Sequence, residues 1–155
     1  MPAFTVAARA LLERLESCRL TAYRDSAGIL TIGFGHTGGV REGMVWTKDQ
    51  ADAALDADLV RFVDGVDRMT AGLPLTDNQF GALVIFAFDV GLSALAGSTA
   101  MRLLRNGHPE AVPDALALWN KVRDGSGVPV ACPGLVNRRA AEAQLWNTPA
   151  TTSLA

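Results

Sequence analysis

The spacing of apolar side chains predicts a helix at the start of the chain, followed by a β-hairpin. Apolar residues recur at steps of three and four from Phe4 to Leu15, which indicates an amphipathic helix over about residues 3–18. The segment from Leu20 to Thr37 is rich in residues that favour strands. Because Asp25 and Gly28 are the first and last residues of a typical four-residue turn, we expect two antiparallel strands joined there.

The second strand of this hairpin contains two glycines. Side chains alternate between the two faces of a strand, so Thr31, Gly33 and Gly35 are expected on one face. Glycine carries no side chain, and this face would therefore leave room for a ligand.

The remainder of the chain predicts helices. Capping boxes at Thr47 and Thr76 begin two helices that we expect to end near Val66 and Val90. Further helices are predicted over about residues 98–106, 109–120 and 135–146, with a loop over about residues 124–129. One hairpin and a mostly helical body define an α+β fold class.

Composition limits the possible functions. With 155 residues, 49% of them hydrophobic, the chain can bury a core as a single domain without disulfides or a structural metal. A net charge of -2 gives no electrostatic case for a nucleic-acid partner. The most apolar stretch, Phe80 to Leu95, is shorter than the ~20 residues that span a bilayer, so no membrane insertion is expected. Charged residues near the start argue against a secretory signal peptide.

The cysteine content points to a reducing compartment. Cys18 and Cys132 are too few for a disulfide framework, and they lack the spacing of a zinc or redox motif. The sequence leaves open whether they form one disulfide or remain half-buried thiols.

Several catalytic classes lack the residues that they need. His36 and His108 each lack a second ligand at a chelating interval, so no metal site is expected. A Cys18 nucleophile paired with His36 is disfavoured, because a thiol at a helix edge is usually just packed. The chain has neither a GxSxG elbow nor a P-loop motif, which argues against hydrolase-fold and nucleotide enzymes.

Two carboxylic acids suit glycoside hydrolysis. Glu16 lies where the apolar face of the first helix meets solvent, and partial desolvation there is expected to raise its pKa. Asp25, in a polar turn, is expected to stay ionised. Cleaving an acetal needs one protonated acid and one carboxylate, and Thr31 across the turn is placed to hold a water. The spacing alone leaves open a surface acid, a turn former and an ordinary strand residue.

Sequence motifs around these residues resemble a known family. The segment from Glu16 to Thr37, ESCRLTAYRDSAGILTIGFGHT, resembles the active-site segment of the phage lysozyme family, the endolysins or muramidases of the T-even-phage type. Later segments resemble that family's further motifs in the same order: LTDNQF from Leu75, FAFDVG from Phe86, Trp119-Asn120, and GLVNRRAAE from Gly134. The resemblance covers about residues 4–147.

The resemblance implies a lysozyme-like fold with one catalytic domain over residues 1–155. A small hairpin lobe at about 17–66 and a larger helical lobe from about 1–16 and 67–150 are expected to flank a cleft. The implied activity is hydrolysis of the β-1,4 bond between N-acetylmuramic acid and N-acetylglucosamine in peptidoglycan, which causes cell lysis without a cofactor. Glycan strands are the implied partner. We expect a cytoplasmic monomer that reaches the wall through a holin.

The resemblance implies a role for each residue that matches a motif position of the family. The resemblance makes Glu16 the general acid, Asp25 the second carboxylate, and Thr31 the residue that positions a water or the developing product. We expect an inverting reaction, since Thr31 offers a water site. His36 and Asp58 are expected to form a buried ion pair that supports the fold.

An arginine is expected to approach the catalytic Glu. Arg138 matches that position better than Arg139, and its cation would lower the pKa of Glu16 while desolvation raises it. The sequence does not decide between these two effects. Phe88, Asp89 and Arg138 are expected substrate contacts.

The chain departs from the family pattern at two positions. Many relatives have Gly where this chain has Ser17, which is expected to alter the end of the first helix. Many have Asn where this chain has Asp89, an extra carboxylate that would bind sugar hydroxyls, raise the pKa of Glu16, or remain an exposed polar residue. The sequence also leaves open a lytic transglycosylase and a catalytically inactive wall-binding protein.

Overall fold

The computed structural model describes residues 2–149 and confirms the α+β class. The elements follow one another as α1 (Val6–Glu16), β1 (Arg19–Arg24), β2 (Leu30–Gly33), α2 (Lys48–Met69), α3 (Asp77–Val90), α4 (Leu92–Ala96), α5 (Thr99–Arg105), a 3-10 turn (Pro109–Ala111), α6 (Val112–Ala117), β3 (Lys121–Arg123), β4 (Pro129–Ala131) and α7 (Pro133–Asn147). Among the helices of this range, none is long and apolar enough to pass through a bilayer. The division into two lobes stays a prediction.

Helix α3 is the centre of the core. Every residue from Phe80 to Ala87 is buried, and α1, α2 and α7 all pack against this helix. Gly81 allows α1 to approach closely, because a Cβ atom there would lie 2.9 Å from the Cβ atom of Ala8. This packing fixes the end of α1, where Glu16 lies, against α3 and α7.

Both predicted capping boxes are present. Thr47 accepts a hydrogen bond from the backbone of Gln50, whose side chain accepts one from the backbone of Thr47. Thr76 and Gln79 form the same reciprocal pair at the start of α3. Such caps satisfy N–H groups that have no partner within the helix.

The first hairpin forms where it is predicted, but its second strand is shorter than expected. Strand β2 ends at Gly33, where φ is +65°, and Gly35 has φ of +80°. Ile32 and His36 exchange two backbone hydrogen bonds of 2.9 Å, so the chain turns back on itself between them. The expectation that Thr31, Gly33 and Gly35 share one strand face therefore fails at Gly35, which lies beyond the end of β2, and both glycines have the positive φ of a turn.

The predicted loop forms the turn of a second hairpin, whose two short strands the sequence pattern does not predict. Strands β3 and β4 pair in antiparallel register, with Arg123 opposite Pro129. The predicted helix over 109–120 is shorter than expected, because it comprises the 3-10 turn and α6 and ends at Ala117. All residues of this hairpin are exposed, and a short exposed ribbon has little hydrophobic periodicity to reveal it.

The two hairpins have the same turn. Asp25 accepts hydrogen bonds from the backbone N–H groups of Ala27 and Ile29 at 2.9 Å through Oδ1. Asp124 accepts the equivalent bonds from Ser126 and Val128, at 2.9 and 3.0 Å. In each turn the arginine before the aspartate donates to a glycine carbonyl. Both turns share a local sequence, arginine-aspartate followed by glycine three residues after the aspartate.

Candidate active site

Glu16 is held at the C-terminal end of α1 by an arginine from α7. The α1 helix buries Ala8 and Leu12 against the core, which leaves Glu16 at the border of the apolar surface with 18% of its side chain exposed. Arg138 Nη1 donates a hydrogen bond of 2.6 Å to Glu16 Oε1. The structure thus brings Arg138, and not Arg139, to this carboxyl group.

Burial outweighs the arginine in setting the pKa of Glu16. Desolvation is the largest effect and raises the pKa, while the charge of Arg138 and its hydrogen bond lower it. The nearby charge of Asp89 raises it as well, and the net shift is upward from the ordinary value. Glu16 therefore keeps its proton to a higher pH than an exposed glutamate does.

Next to Glu16 lies a cluster of charged side chains from two helices, α3 and α7. Arg139 donates to Asp89 Oδ2 at 2.7 Å and to Glu142 Oε1 at 2.8 Å. Its Nε atom also lies 2.8 Å from Glu142 Oε2, without hydrogen-bond alignment. Arg138 completes the cluster with bonds to the Ile85 carbonyl and, at 3.4 Å, to Glu142.

Asp25 and Thr31 lie together in the first hairpin. Thr31 is buried and donates its hydroxyl proton to the Ile29 carbonyl at 2.9 Å, and the N–H of Ile29 bonds to Asp25. The carboxyl group of Asp25 is exposed, and its Oδ2 atom accepts no hydrogen bond within residues 2–149. Within the same range no hydrogen bond joins either residue to Glu16.

A polar pocket of about 370 Å³ adjoins Glu16. It is lined by Gly35, His36, Thr37, Gly38, Asp58, Arg61, Phe62 and Phe88. Gly35 connects it to the acid, because a Cβ atom at this glycine would lie 3.4 Å from Glu16 Oε2. A groove between α1 and α7, lined by Leu11 and Leu145 among others, contains none of the predicted site residues.

His36 and Asp58 are in contact on the wall of this pocket. His36 Nδ1 lies 2.8 Å from Asp58 Oδ2, and Nε2 lies 2.7 Å from the Gly38 carbonyl oxygen. The side chains are 23% and 30% exposed, so the pair is half-buried rather than buried as expected. Its structural role stays a prediction.

The three expected substrate contacts have different settings. Phe88 lines the pocket and packs on Phe62, with ring centroids 5.0 Å apart. Asp89 has a 25% exposed side chain, and its Oδ2 atom is bound by Arg139. Arg138 is only 7% exposed, and its donors are directed at protein acceptors. Of these three residues, Phe88 is the one that lines the pocket, whereas Arg138 holds Glu16.

No group in the described range resembles a metal centre. Residues 2–149 contain no cluster of three or more His, Cys, Asp or Glu side chains that could hold a metal ion. Cys18 and Cys132 are both free thiols with partial exposure.

Ser17 has a strained backbone immediately after the predicted acid. Its φ of 57° and ψ of 158° make it the only non-glycine residue with positive φ in residues 2–149. This region of conformational space is essentially restricted to glycine, and strain there costs roughly 1–3 kcal/mol. Glycine would adopt this conformation without the strain that a Cβ atom causes.

Replacing Ser17 with Gly is expected to stabilise the protein by about 1 kcal/mol, since relief of strain exceeds the greater backbone entropy that glycine loses on folding. Denaturant unfolding measures the change. Ser26→Gly is the matched control, because Ser26 is also exposed but has a negative φ, and it is expected to give no gain. A Ser17→Gly protein less stable than the wild type would contradict the strain.

Known proteins resemble this chain in sequence and in fold. The family model described as Phage lysozyme matches residues 13–142. An endolysin of Acyrthosiphon pisum secondary endosymbiont phage 1 is 34% identical over 139 residues, which cover 89% of this chain and 93% of that protein.

Two solved structures have the same fold. The muramidase domain of SpmX from Asticaccaulis excentricus superposes with a TM-score of 0.89 at 34% identity, over 96% of this chain and 100% of that domain. An endolysin from Escherichia coli O157:H7 phage FAHEc1 superposes with a TM-score of 0.86 at 34% identity, over 94% of this chain and 93% of that protein. With the motif from Glu16 to Thr37 and a lysozyme-like fold in place, the chain belongs to the phage lysozyme family.

Proposed function

We propose that the protein is a muramidase that hydrolyses the β-1,4 bond between N-acetylmuramic acid and N-acetylglucosamine in peptidoglycan. Family membership makes it a lytic enzyme of the endolysin type, and the identity of the bond is the proposed step. The observation that carries the proposal is the setting of Glu16, a carboxyl group with a raised pKa beside an open pocket. This is the environment that a general acid requires.

The two oxygens of Glu16 have different tasks in this proposal. Oε1 accepts the hydrogen bond from Arg138, and Oε2 lies beside Gly35, which lines the pocket. The proton therefore belongs on Oε2, from which it passes to the glycosidic oxygen as the bond breaks. Arg138 then stabilises the carboxylate that forms.

Asp25 and Thr31 activate the attacking water. The backbone N–H groups of Ala27 and Ile29 hold Asp25 Oδ1, so Oδ2 remains able to accept a proton from water. Thr31 uses its own proton on the Ile29 carbonyl, which leaves its oxygen as an acceptor for the same water. Attack from the face opposite the leaving group inverts the anomeric carbon.

Product mass tests this proposal against a lytic transglycosylase. Purified peptidoglycan digested by the wild-type protein is expected to give fragments that carry one added water per cleaved bond. Anhydro sugars without added water would show transglycosylation instead, and no fragments would show an inactive wall-binding protein. NMR of fresh product is expected to show the anomer of opposite configuration, and retention would contradict the water site at Thr31.

Delivery to the wall is part of the same proposal, supported by family membership alone. The protein is proposed to act as a monomer and to reach peptidoglycan through a holin. Expression in a bacterium with and without a holin tests the route, since lysis is expected only when the holin is present. Lysis of equal speed in its absence would contradict this part of the proposal.

A further inference from the structure

Glu142 is the most deeply buried carboxylic acid near the active site, and the proposed mechanism does not use it. Its side chain has no exposed surface, although it lies on α7 only one turn from Arg138. An isolated buried charge is costly, so such a group is retained only where it is paired. Its partners are the two arginines of the charged cluster, Arg138 and Arg139.

Arg138 is shared among three carboxylic acids, since its Nε atom also lies 3.7 Å from Asp89 Oδ2. Its Nη1 atom donates to Glu16 at 2.6 Å, while its Nε atom donates to Glu142 at 3.4 Å. Arg139 is held at the same time by Glu142 and Asp89. The charge that Arg138 presents to Glu16 therefore depends on whether Glu142 is ionised.

We propose that Glu142 is a positioning residue for the reaction: it holds Arg138 beneath Glu16, and its charge state sets how tightly the acid keeps its proton. This inference rests on the proposed role of Glu16. When Glu142 is ionised, it offsets part of the Arg138 charge, and Glu16 keeps its proton to higher pH. When Glu142 is neutral, Arg138 stabilises the Glu16 carboxylate more strongly, and the acid loses its proton earlier.

The charged groups around Glu142 come from three elements. Arg138 and Arg139 lie on α7, Asp89 on α3, and Glu16 on α1. Helix α6 also packs on α7, but its buried residues are apolar and its Asp114 is exposed. Burial raises the pKa of Glu142, while the charges of Arg139 and Arg138 oppose that shift and favour its ionised form.

Carboxyl NMR of a protein with 13C-labelled glutamate tests the inference without relying on activity. In Glu142→Gln, the titration midpoint of Glu16 is expected to fall by about 0.5–1 pH unit relative to the wild type, because Arg138 has one anion fewer to neutralise. Glu142→Asp restores the charge and is expected to return the midpoint toward the wild-type value. Glu110→Gln removes an exposed carboxylate and is expected to leave the midpoint unchanged.

Kinetics give the second readout. The alkaline limb of the kcat/KM profile is expected to move to lower pH in Glu142→Gln by the same amount as the Glu16 midpoint. A merely structural role would lower the melting temperature and leave both midpoints in place, and that result would overturn the inference. A wild type without activity would overturn the proposed function, yet the NMR comparison would still decide the coupling.

The wild-type protein provides a test if Glu142→Gln does not fold. Two coupled carboxyl groups titrate as a pair, so the Glu16 resonance is expected to follow two steps, one of them at the pH where Glu142 titrates. A single-step titration of Glu16 through that range would overturn the inference.

Discussion

Replacing Glu16 with Gln is expected to reduce kcat on purified peptidoglycan by a factor on the order of 10² or more, the usual share of general acid catalysis. The amide has nearly the same shape as the acid and still accepts the hydrogen bond from Arg138, but it has no proton to give to the leaving oxygen. Because the variant loses the proton that catalysis needs but keeps the groups that bind substrate, KM is expected to change much less than kcat. Initial rates of fragment release measure both constants.

Glu13→Gln is the matched control for this variant. Glu13 lies on the same helix one turn earlier and pairs with Arg9 at 3.2 Å, on a 33% exposed side chain. This variant makes the same exchange of a carboxyl group for an amide and is expected to keep wild-type activity. The stability of Glu16→Gln is expected to equal or exceed that of the wild type at neutral pH, since a carboxyl group with a raised pKa is destabilised when ionised. Near-wild-type activity would overturn the assignment of the acid.

Local signals in the sequence predict the elements that hold the site. The capping boxes at Thr47 and Thr76 depend on residues three positions apart, and both form as expected. The turn at Asp25 is also local, since its side chain bonds to backbone groups two and four residues later. Such hydrogen bonds between residues close in sequence can be predicted from the sequence because few residues determine them.

Long-range packing accounts for what the sequence does not reveal. The partition of the two arginines, with Arg138 on Glu16 and Arg139 on Asp89, follows from how α7 lies against α1 and α3. Glu142 lies within a motif that carries the family resemblance, and its spacing from Arg138 and Arg139 indicates contact on one helix face. Its complete burial, however, depends on the surrounding helices, which no local pattern specifies.

The balance between desolvation and the Arg138 charge also depends on the folded structure and cannot be predicted from the sequence. Both effects follow from general principles, but their relative size depends on how far α1 buries Glu16. The outcome separates the two predicted catalytic carboxyl groups by environment. Glu16 is mostly withdrawn from water, whereas Asp25 is exposed at the hairpin turn. A general acid and its partner carboxylate need environments that differ in this way.

Replacing Asp25 with Asn is expected to lower kcat by a factor on the order of 10², because the amide cannot take a proton from the attacking water. The hairpin should survive, since an asparagine Oδ1 atom accepts the same two bonds from Ala27 and Ile29. Loss of activity in a variant that still folds would therefore show that the reaction needs the carboxylate of Asp25. Initial rates and thermal unfolding, measured on the same preparations, separate these two effects.

The second hairpin provides an internal control for the Asp25→Asn variant. Asp124 makes the same turn as Asp25, with equivalent bonds to Ser126 and Val128. The hydroxyl of Ser126 and these backbone groups lower the pKa of Asp124, so Asp124 is charged at neutral pH. Asp124→Asn thus removes the same charge from the same turn geometry, and it is expected to retain wild-type activity. Equal losses in the two variants would mean that turn integrity, and not the carboxylate of Asp25, limits the reaction.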